Sequence, residues 1–225
     1  MKWLVILCII AACTDSRRPA TLRELYKVPP PTTIDRAHTA LVLVDFQEEF
    51  FSGGLPLPDA ALAREQATRL LHAARSAGVT VIHVRNITPA GSRVFAAGTR
   101  GADIVTSLAP EPTELVITKR SGGAFTNTDL DVQLKARGIR TVVLAGLMTH
   151  LAVALSAQDA GVLGYQVIVA SDACATRALP VPTKQNTVDA KTLHDVALAS
   201  LADRFADVLT TDSVLGLVSS SHDGG

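Results

Sequence analysis

Short apolar runs rich in β-branched residues alternate with longer stretches rich in Ala and Leu from residue 38 onward. This alternation constrains the fold more than any other feature of the sequence, because it is typical of parallel strands connected by helices. The chain is therefore predicted to be α/β, with six strands in one sheet. The predicted strands span 40–44, 80–84, 115–118, 141–145, 166–169 and 207–209, and the predicted helices span 60–76, 130–136, 149–160 and 190–206.

Composition, charge and missing motifs exclude several classes of protein. The 225 residues are 48% hydrophobic, which favours one globular domain. Because 21 basic residues balance 21 acidic residues, the basic surface that binds nucleic acid is not expected. The sequence has no GxxxxGK[ST], GxSxG or HExxH motif, no GxGxxG after the first strand, and no metal-ligand spacing among its histidines. We therefore predict a small-molecule substrate or ligand, no cofactor and no metal.

The amino-terminal segment is similar to the signal of a bacterial lipoprotein. A basic residue precedes an uncharged apolar run over 3–13, which ends in IAAC and is shorter than the about 20 residues of a membrane-spanning helix. We predict an exported protein of the cell envelope with a signal peptide over 1–12, lipidation of Cys13, a linker over 13–38 and one domain over 39–225. Membrane contact is expected only through the lipid. The alternative is a cytoplasmic protein, with this segment a buried strand or the product of a mistaken start site.

Two charged residues come at the ends of predicted strands. Asp45 follows LVLV, and Lys119 follows LVIT. Since the carboxyl ends of strands line the binding crevice of an open α/β sheet, these two side chains are placed to form an ion pair across it. Asp45 is either a catalytic carboxylate or a cap, and many strand-end lysines are simply solvated. Phe46 and Gln47, next to Asp45, are candidate substrate-binding residues.

The segment TVVLAGLMTHLAV runs from a predicted strand into a predicted helix. If Thr149 caps this helix, Ala152 lies among the unpaired N–H groups of the first turn, which can bind an oxyanion. Alanine itself carries no side-chain chemistry there. The other candidates are His150, expected near a pocket; Cys174, interpreted as a small buried residue; His72 and His194, interpreted as surface or capping residues; and 86–112, interpreted as a long excursion that could act as a lid.

Three segments resemble a known family: LVLVDFQEEFF, ITKRSGGAFTNTDLDVQLKARGIRTVVLAGLMTHLAV and SAQDAGVLGYQVIVASDACATR. They resemble the isochorismatase-like superfamily of cysteine hydrolases, which includes nicotinamidases and N-carbamoylsarcosine amidases, and the resemblance covers 39–217. It implies a three-layer α/β/α, Rossmann-like fold with a six-stranded parallel sheet. It also implies assembly into a homo-oligomer.

The resemblance implies a catalytic triad from which the thiol is missing. The family's Asp, Lys and Cys map onto Asp45, Lys119 and Ala152. Three interpretations stay open: a thiol-free hydrolase in which Asp45 protonates an enol ether and Lys119 supports the charges, an amidase inactivated by substitution at Ala152, or a ligand-binding pseudoenzyme. The first requires the pKa of Asp45 to be above its usual value. Burial would raise this pKa, and Lys119 would lower it.

The resemblance also implies a backbone arrangement next to this triad. A cis peptide between Leu147 and Met148 would precede the helix, and backbone N–H groups near Met148, Thr149 and residue 152 would form an oxyanion hole. The nicotinamidase branch carries an Asp-x-His metal site after the second strand. The sequence VRNITPAG lacks that motif, so this branch is disfavoured.

Overall fold

The computed structural model describes residues 18–120 and 122–219. The predicted signal peptide over 1–12 and the predicted lipidation site Cys13 lie outside the described residues. Within the described ranges, no helix combines the length and the apolar character that crossing a membrane requires.

The strands form one large sheet and one small hairpin. They are β1 (Thr39–Val44), β2 (Thr80–Asn86), β3 (Leu115–Lys119), β4 (Thr141–Leu147), β5 (Gln166–Ala175), the hairpin strands β6 (Leu179–Pro180) and β7 (Thr187–Val188), and β8 (Asp207–Leu209). The large sheet has the order β3-β2-β1-β4-β5-β8, and every neighbouring pair in it is parallel. The predicted six-stranded parallel sheet is therefore confirmed.

Helices cover both faces of the sheet, which makes the fold three-layered as predicted. They are α1 (Leu22–Leu25), α2 (Ala60–Ala77), α3 (Leu130–Ala136), α4 (Ala154–Val162), α5 (Ala190–Arg204) and α6 (Thr211–Ser219). Successive residues of a strand point to opposite faces. Leu41 and Leu43 accordingly join the core beneath α2 and α6, whereas Ala40 and Val42 join the core beneath α3, α4 and α5.

Several boundaries differ from the predicted ones. β5 continues to Ala175, beyond its predicted end at 169, and its pairing with β4 is irregular between Leu144 and Gly146. The helix predicted from 149 begins with a π-helical turn, Thr149–Val153, before α4. α6 and the β6–β7 hairpin were not predicted. The hairpin strands have two residues each, too few to show an alternating pattern.

The segment 18–38 packs against the domain. Ile34 is buried in the core beneath α2 and α6. Arg23 forms an ion pair with Asp207, with 2.6 Å between its Nη2 and the carboxylate Oδ2. The described part of the segment predicted as a linker therefore contacts the domain through Ile34 and Arg23, although most of its side chains are exposed.

The irregular stretch over 86–112 lies across the carboxyl end of the sheet. It contains two short 3₁₀ turns, Arg100–Ala102 and Thr106–Leu108. The buried carboxylate of Glu49 accepts a hydrogen bond from the backbone N–H of Phe95 at 3.0 Å. This bond connects the stretch to the loop that follows β1.

Candidate active site

Asp45 and Lys119 form a buried ion pair at the carboxyl ends of β1 and β3. The Lys119 Nζ lies 2.7 Å from the Asp45 Oδ2, and the two residues are 4% and 3% exposed. Asp45 has a φ of 54°, a left-handed conformation that Asp adopts more readily than most residues, so the chain turns directly after β1. Its backbone N–H donates to the Val84 carbonyl on β2 at 2.8 Å, which fixes the turn.

Burial decides the protonation of Asp45. Removal of the carboxylate from water raises the pKa of Asp45 to about 6, even though the Lys119 ammonium lowers it. Lys119 contacts only Oδ2, and the buried Oδ1 has no hydrogen-bond partner among the described residues. When Asp45 is protonated, the proton therefore belongs on Oδ1, since Oδ2 already accepts from the ammonium.

Asn86 ends β2 beside the ion pair. It pairs with Lys119 in the register of β2 and β3, so both side chains leave the same face of the sheet. The buried Gln47 side chain holds the Asn86 backbone on both sides, because its Nε2 donates to the Asn86 carbonyl at 2.8 Å and its Oε1 accepts from the Asn86 N–H at 2.7 Å. The Asn86 Oδ1 is buried and, within the described part of the chain, unpaired.

Gly146 allows β1 and β4 to approach closely next to this site. It pairs with Val44, the residue before Asp45. A Cβ at position 146 would lie 2.5 Å from the Val44 carbonyl oxygen, closer than real Cβ atoms come. Glycine is therefore required where β4 passes the end of β1.

The turn after β4 completes the site. The peptide between Leu147 and Met148 is cis. The Met148 carbonyl accepts from the N–H groups of Leu151 at 3.0 Å and Val153 at 3.3 Å, which gives the helix its wide first turn. Ala152 lies in this turn and is buried against the cavity described next. The cavity wall at this position is therefore a methyl group.

A cavity of about 180 Å³ lies between these elements. Its polar side chains sit together on one wall, and its other walls are mainly apolar. The polar wall is formed by Asp45, Asn86 and Lys119, and the apolar walls by Phe50, Phe95, Leu147, Met148, Leu151 and Ala152. Phe50 and Phe95 pack edge to face, with 5.1 Å between their ring centroids.

Two predicted substrate-binding residues lie away from this cavity. Phe46 is buried in the core beneath α2 and α6. The Gln47 amide donates to the carbonyls of Asn86 and Ala102, both at 2.8 Å, so its side chain is occupied in holding the loop. Neither side chain therefore lines this cavity, because both point into the protein after the sharp turn at Asp45.

Three further candidate residues lie around the turn between β4 and α4: Thr149 and His150 within it, and His194 on α5, which packs against it. Met148, not Thr149, occupies the cap position. Thr149 Oγ1 lies 2.9 Å from the Nδ1 of His194, which is half-buried because α5 packs against the π-helical turn, so His194 is neither a surface nor a capping residue. His150 contacts the Thr176 hydroxyl and does not line the cavity.

Two further residues behave as predicted. Cys174 is buried, and burial raises the pKa of its thiol to about 12, which keeps the thiol protonated. His72 is exposed on α2. Over 18–120 and 122–219, no group of three or more His, Cys, Asp or Glu side chains is arranged to hold a metal ion.

The sequence analysis missed Asn86, Phe50 and Phe95. Asn86 is a polar residue at the end of a strand, like Asp45 and Lys119, so the same reasoning could have found it. The two phenylalanines lie outside the strands and helices of the sheet layers, where no periodic pattern indicates which side chains turn inward.

Comparison with known proteins agrees with this geometry. The family model described as the isochorismatase domain matches residues 39–213. The chain belongs to the isochorismatase family. A solved isochorismatase from Pseudomonas putida KT2440 is 33% identical with a TM-score of 0.82, covering 88% of this chain and 100% of that one.

Two relatives in the isochorismatase family carry functional names. The secreted isochorismatase effector Isc1 of Verticillium dahliae is 35% identical over 185 residues, which is 82% of this chain and 94% of the relative. A streptothricin hydrolase of Streptomyces noursei is 32% identical over 175 residues, covering 78% of this chain and 60% of the relative. The family therefore includes hydrolases that share most of this chain's domain.

Proposed function

We propose that this protein is a small-molecule hydrolase that works without a thiol, with Asp45 as general acid and Lys119 as supporting cation. The single observation that carries the proposal is the buried carboxyl group of Asp45, a residue that lines the cavity and whose Oδ1 is unpaired among the described residues. No neighbouring acceptor in the described part of the chain competes for a proton on this oxygen. Family membership and the hydrolases among the relatives support the reaction class.

The proposed reaction uses one proton and one water. Protonated Asp45 gives its Oδ1 proton to an enol ether, which makes the adjacent carbon electrophilic. Water adds to that carbon and gives one proton back to Asp45, which leaves a hemiketal. The ether C–O bond of the hemiketal then breaks as its hydroxyl proton passes to the departing oxygen, so the products are a carbonyl compound and an alcohol. Lys119, 2.7 Å from Oδ2, stabilises the carboxylate while the proton is on the substrate.

Ala152 favours this route over amide hydrolysis by a nucleophile. A cysteine hydrolase needs a sulfur where its helix begins, and a methyl group occupies this position here. If the alanine replaced a cysteine, the protein would instead be an inactivated amidase. A ligand-binding protein without turnover would keep the same cavity. The next experiment separates these cases.

The rate of hydrolysis is expected to fall as pH rises through about 6. Because burial raises the pKa of Asp45 to about 6, the proton donor is present below that pH and lost above it. For a general acid, kcat/KM falls about tenfold per pH unit above its pKa. The measurement is a pH profile of kcat/KM for the purified protein, with a substrate found among enol ethers, amides and carbamoyl compounds.

Other profiles would contradict this assignment. A rate that increases through the same pH range would make Asp45 a base. Absence of turnover on the whole panel would favour the ligand-binding alternative.

We also propose that the protein is exported, with Cys13 as a lipid anchor. The apolar segment that precedes Cys13 and the secreted relative from Verticillium dahliae support export. A Cys13→Ser variant is expected to move from the membrane fraction to the aqueous fraction of a detergent partition, since one lipid supplies most of the membrane affinity. Equal membrane association of both proteins would contradict the lipid anchor.

A further inference from the structure

We propose that Asn86 is a substrate-binding residue whose side-chain oxygen accepts a hydrogen bond from an uncharged N–H or O–H group of the substrate. The inference deepens the proposed function, and it rests on that function only because both take this cavity as the substrate-binding site. Three independent features of the cavity support it: an unpaired acceptor, a backbone held by hydrogen bonds on both sides, and a cation that already pairs with Asp45.

The unpaired acceptor is the first feature. The Oδ1 atom of Asn86 is buried and, among the described residues, has no donor. Leaving a buried carbonyl oxygen without a hydrogen bond is unfavourable, and native proteins retain few such groups. Asn86 also lines the cavity that contains the unpaired Oδ1 of Asp45. A ligand that brings a donor satisfies the asparagine oxygen, while Asp45 keeps its own proton for transfer.

The rigid backbone is the second feature. Both the N–H and the carbonyl of Asn86 are bound by the Gln47 side chain, at 2.7 and 2.8 Å. Gln47 is buried and is itself tied to Ala102. The asparagine is thus positioned before any ligand arrives, so binding does not have to order its backbone.

Charge is the third feature, and it selects a neutral group. Lys119 is the only cationic side chain that lines the cavity within the described residues, and Asp45 already pairs with it at 2.7 Å. A substrate carboxylate next to Asn86 would meet two acceptor oxygens without an available cation, and burying an unpaired charge is costly. An uncharged amide N–H or hydroxyl can instead donate a hydrogen bond to these oxygens.

The remaining walls limit the size of the substrate. Phe50 and Phe95 pack edge to face at 5.1 Å, and Met148 lies on the same cavity. A volume of about 180 Å³ is below the about 300 Å³ at which sites for drug-sized ligands begin. The structure therefore assigns a small, uncharged molecule with an apolar or ring-shaped body and one donor group directed at Asn86.

The test compares three probes that share one phenyl ring. Benzamide has an uncharged donor, methyl benzoate has acceptors only, and benzoate is an anion. Binding to the full-length protein is measured by NMR titration at pH 5, where Asp45 is protonated, so the result depends neither on turnover nor on an ionised Asp45. Benzamide is expected to bind at least about tenfold more tightly than either of the other two, as for a site built around one hydrogen bond to its ligand.

Variants assign the effect to Asn86. Asn86→Leu has a similar shape but no acceptor, and it is expected to reduce benzamide affinity about tenfold and to leave methyl benzoate unchanged. Asn86→Gln retains the side-chain amide oxygen without adding a charge and is expected to keep more benzamide affinity than Asn86→Leu. Asn186→Leu, at an exposed position of the hairpin loop, is the matched control.

Three results would overturn the proposal: no detectable benzamide binding, equal affinities for benzamide and methyl benzoate, or an Asn86→Leu variant that binds benzamide like the wild type. Failure of the general-acid mechanism would leave these binding results unchanged. The two proposals are therefore tested separately.

Discussion

Replacing Asp45 with asparagine is expected to reduce kcat for hydrolysis about 10²- to 10⁴-fold, the range that a positioned general acid contributes. Asparagine has nearly the same shape as aspartate but cannot release a proton to the substrate. The cavity, its apolar walls and Asn86 stay in place, so benzamide affinity is expected to change little. The measurement is kcat and KM for the substrate found in the panel, together with the NMR titration.

The NMR spectrum of Asp45→Asn checks that the variant folds, because the buried Lys119 loses its carboxylate partner. A surface variant serves as a control for the loss of a carboxylate elsewhere. Asp212 on α6 is exposed and pairs with Arg69, so Asp212→Asn removes a carboxylate far from the cavity. Such exposed pairs contribute little to stability, and the control is expected to retain wild-type kcat. If Asp45→Asn retained more than about a tenth of the wild-type rate, Asp45 would not be the general acid.

The same variant tests the raised pKa of Asp45 without any substrate. Because this pKa lies near 6 in the folded protein and near 3.8 in the unfolded chain, the folded state holds the proton more tightly. As pH rises from about 4 to about 6, the folded protein must give up a proton that the unfolded chain has already lost. The free energy of unfolding of the wild type should therefore fall across this range relative to Asp45→Asn. Urea titrations at several pH values measure the difference, and parallel pH curves would contradict the raised pKa.

Replacing Ala152 with cysteine is expected to create a reactive thiol and at least about 10²-fold faster hydrolysis of amides or carbamoyl compounds than the wild type shows. Position 152 lies in the first turn of a helix, where the positive end of the helix dipole favours a thiolate. The unpaired Oδ1 of Asp45 lines the same cavity and can accept the thiol proton. The measurements are turnover of the amide panel and alkylation by iodoacetamide, located by peptide mass spectrometry.

Two cysteines serve as references for the new thiol. Native Cys174 is buried, and burial raises its pKa to about 12, so it is expected to resist alkylation. Ala154→Cys places a thiol on the same helix at a half-buried position that does not line the cavity. If Ala152→Cys reacted no faster than Ala154→Cys and hydrolysed no amide, the site would lack the geometry of a cysteine hydrolase.

The two variants together distinguish the three functions. Wild-type turnover of an enol ether that Asp45→Asn abolishes supports the thiol-free hydrolase. Turnover of amides by Ala152→Cys, with a wild type that hydrolyses nothing, would replace it with an inactivated amidase. If neither protein hydrolyses any compound and benzamide still binds, the cavity serves ligand binding.

The sequence by itself determined the class of fold and the chain positions of the ion pair. Buried parallel strands must be apolar and helices between them must be amphipathic, so the alternation of the two patterns is visible without coordinates. The ends of such strands are where polar residues first become possible, which is why Asp45 and Lys119 stood out. Ala152 stood out only through resemblance to a family, since an alanine has no chemical signature.

Tertiary structure alone decided which neighbours these residues have. Whether burial or Lys119 controls the pKa of Asp45 depends on how much water the folded chain removes from the carboxylate. The local sequence does not show this degree of burial. Phe46 and Gln47 adjoin Asp45 in sequence yet point away from the cavity, because the left-handed turn at Asp45 redirects the chain. Asn86 and Phe95 enter the cavity from distant segments, since contacts between remote parts of a chain are set by packing and not by local pattern.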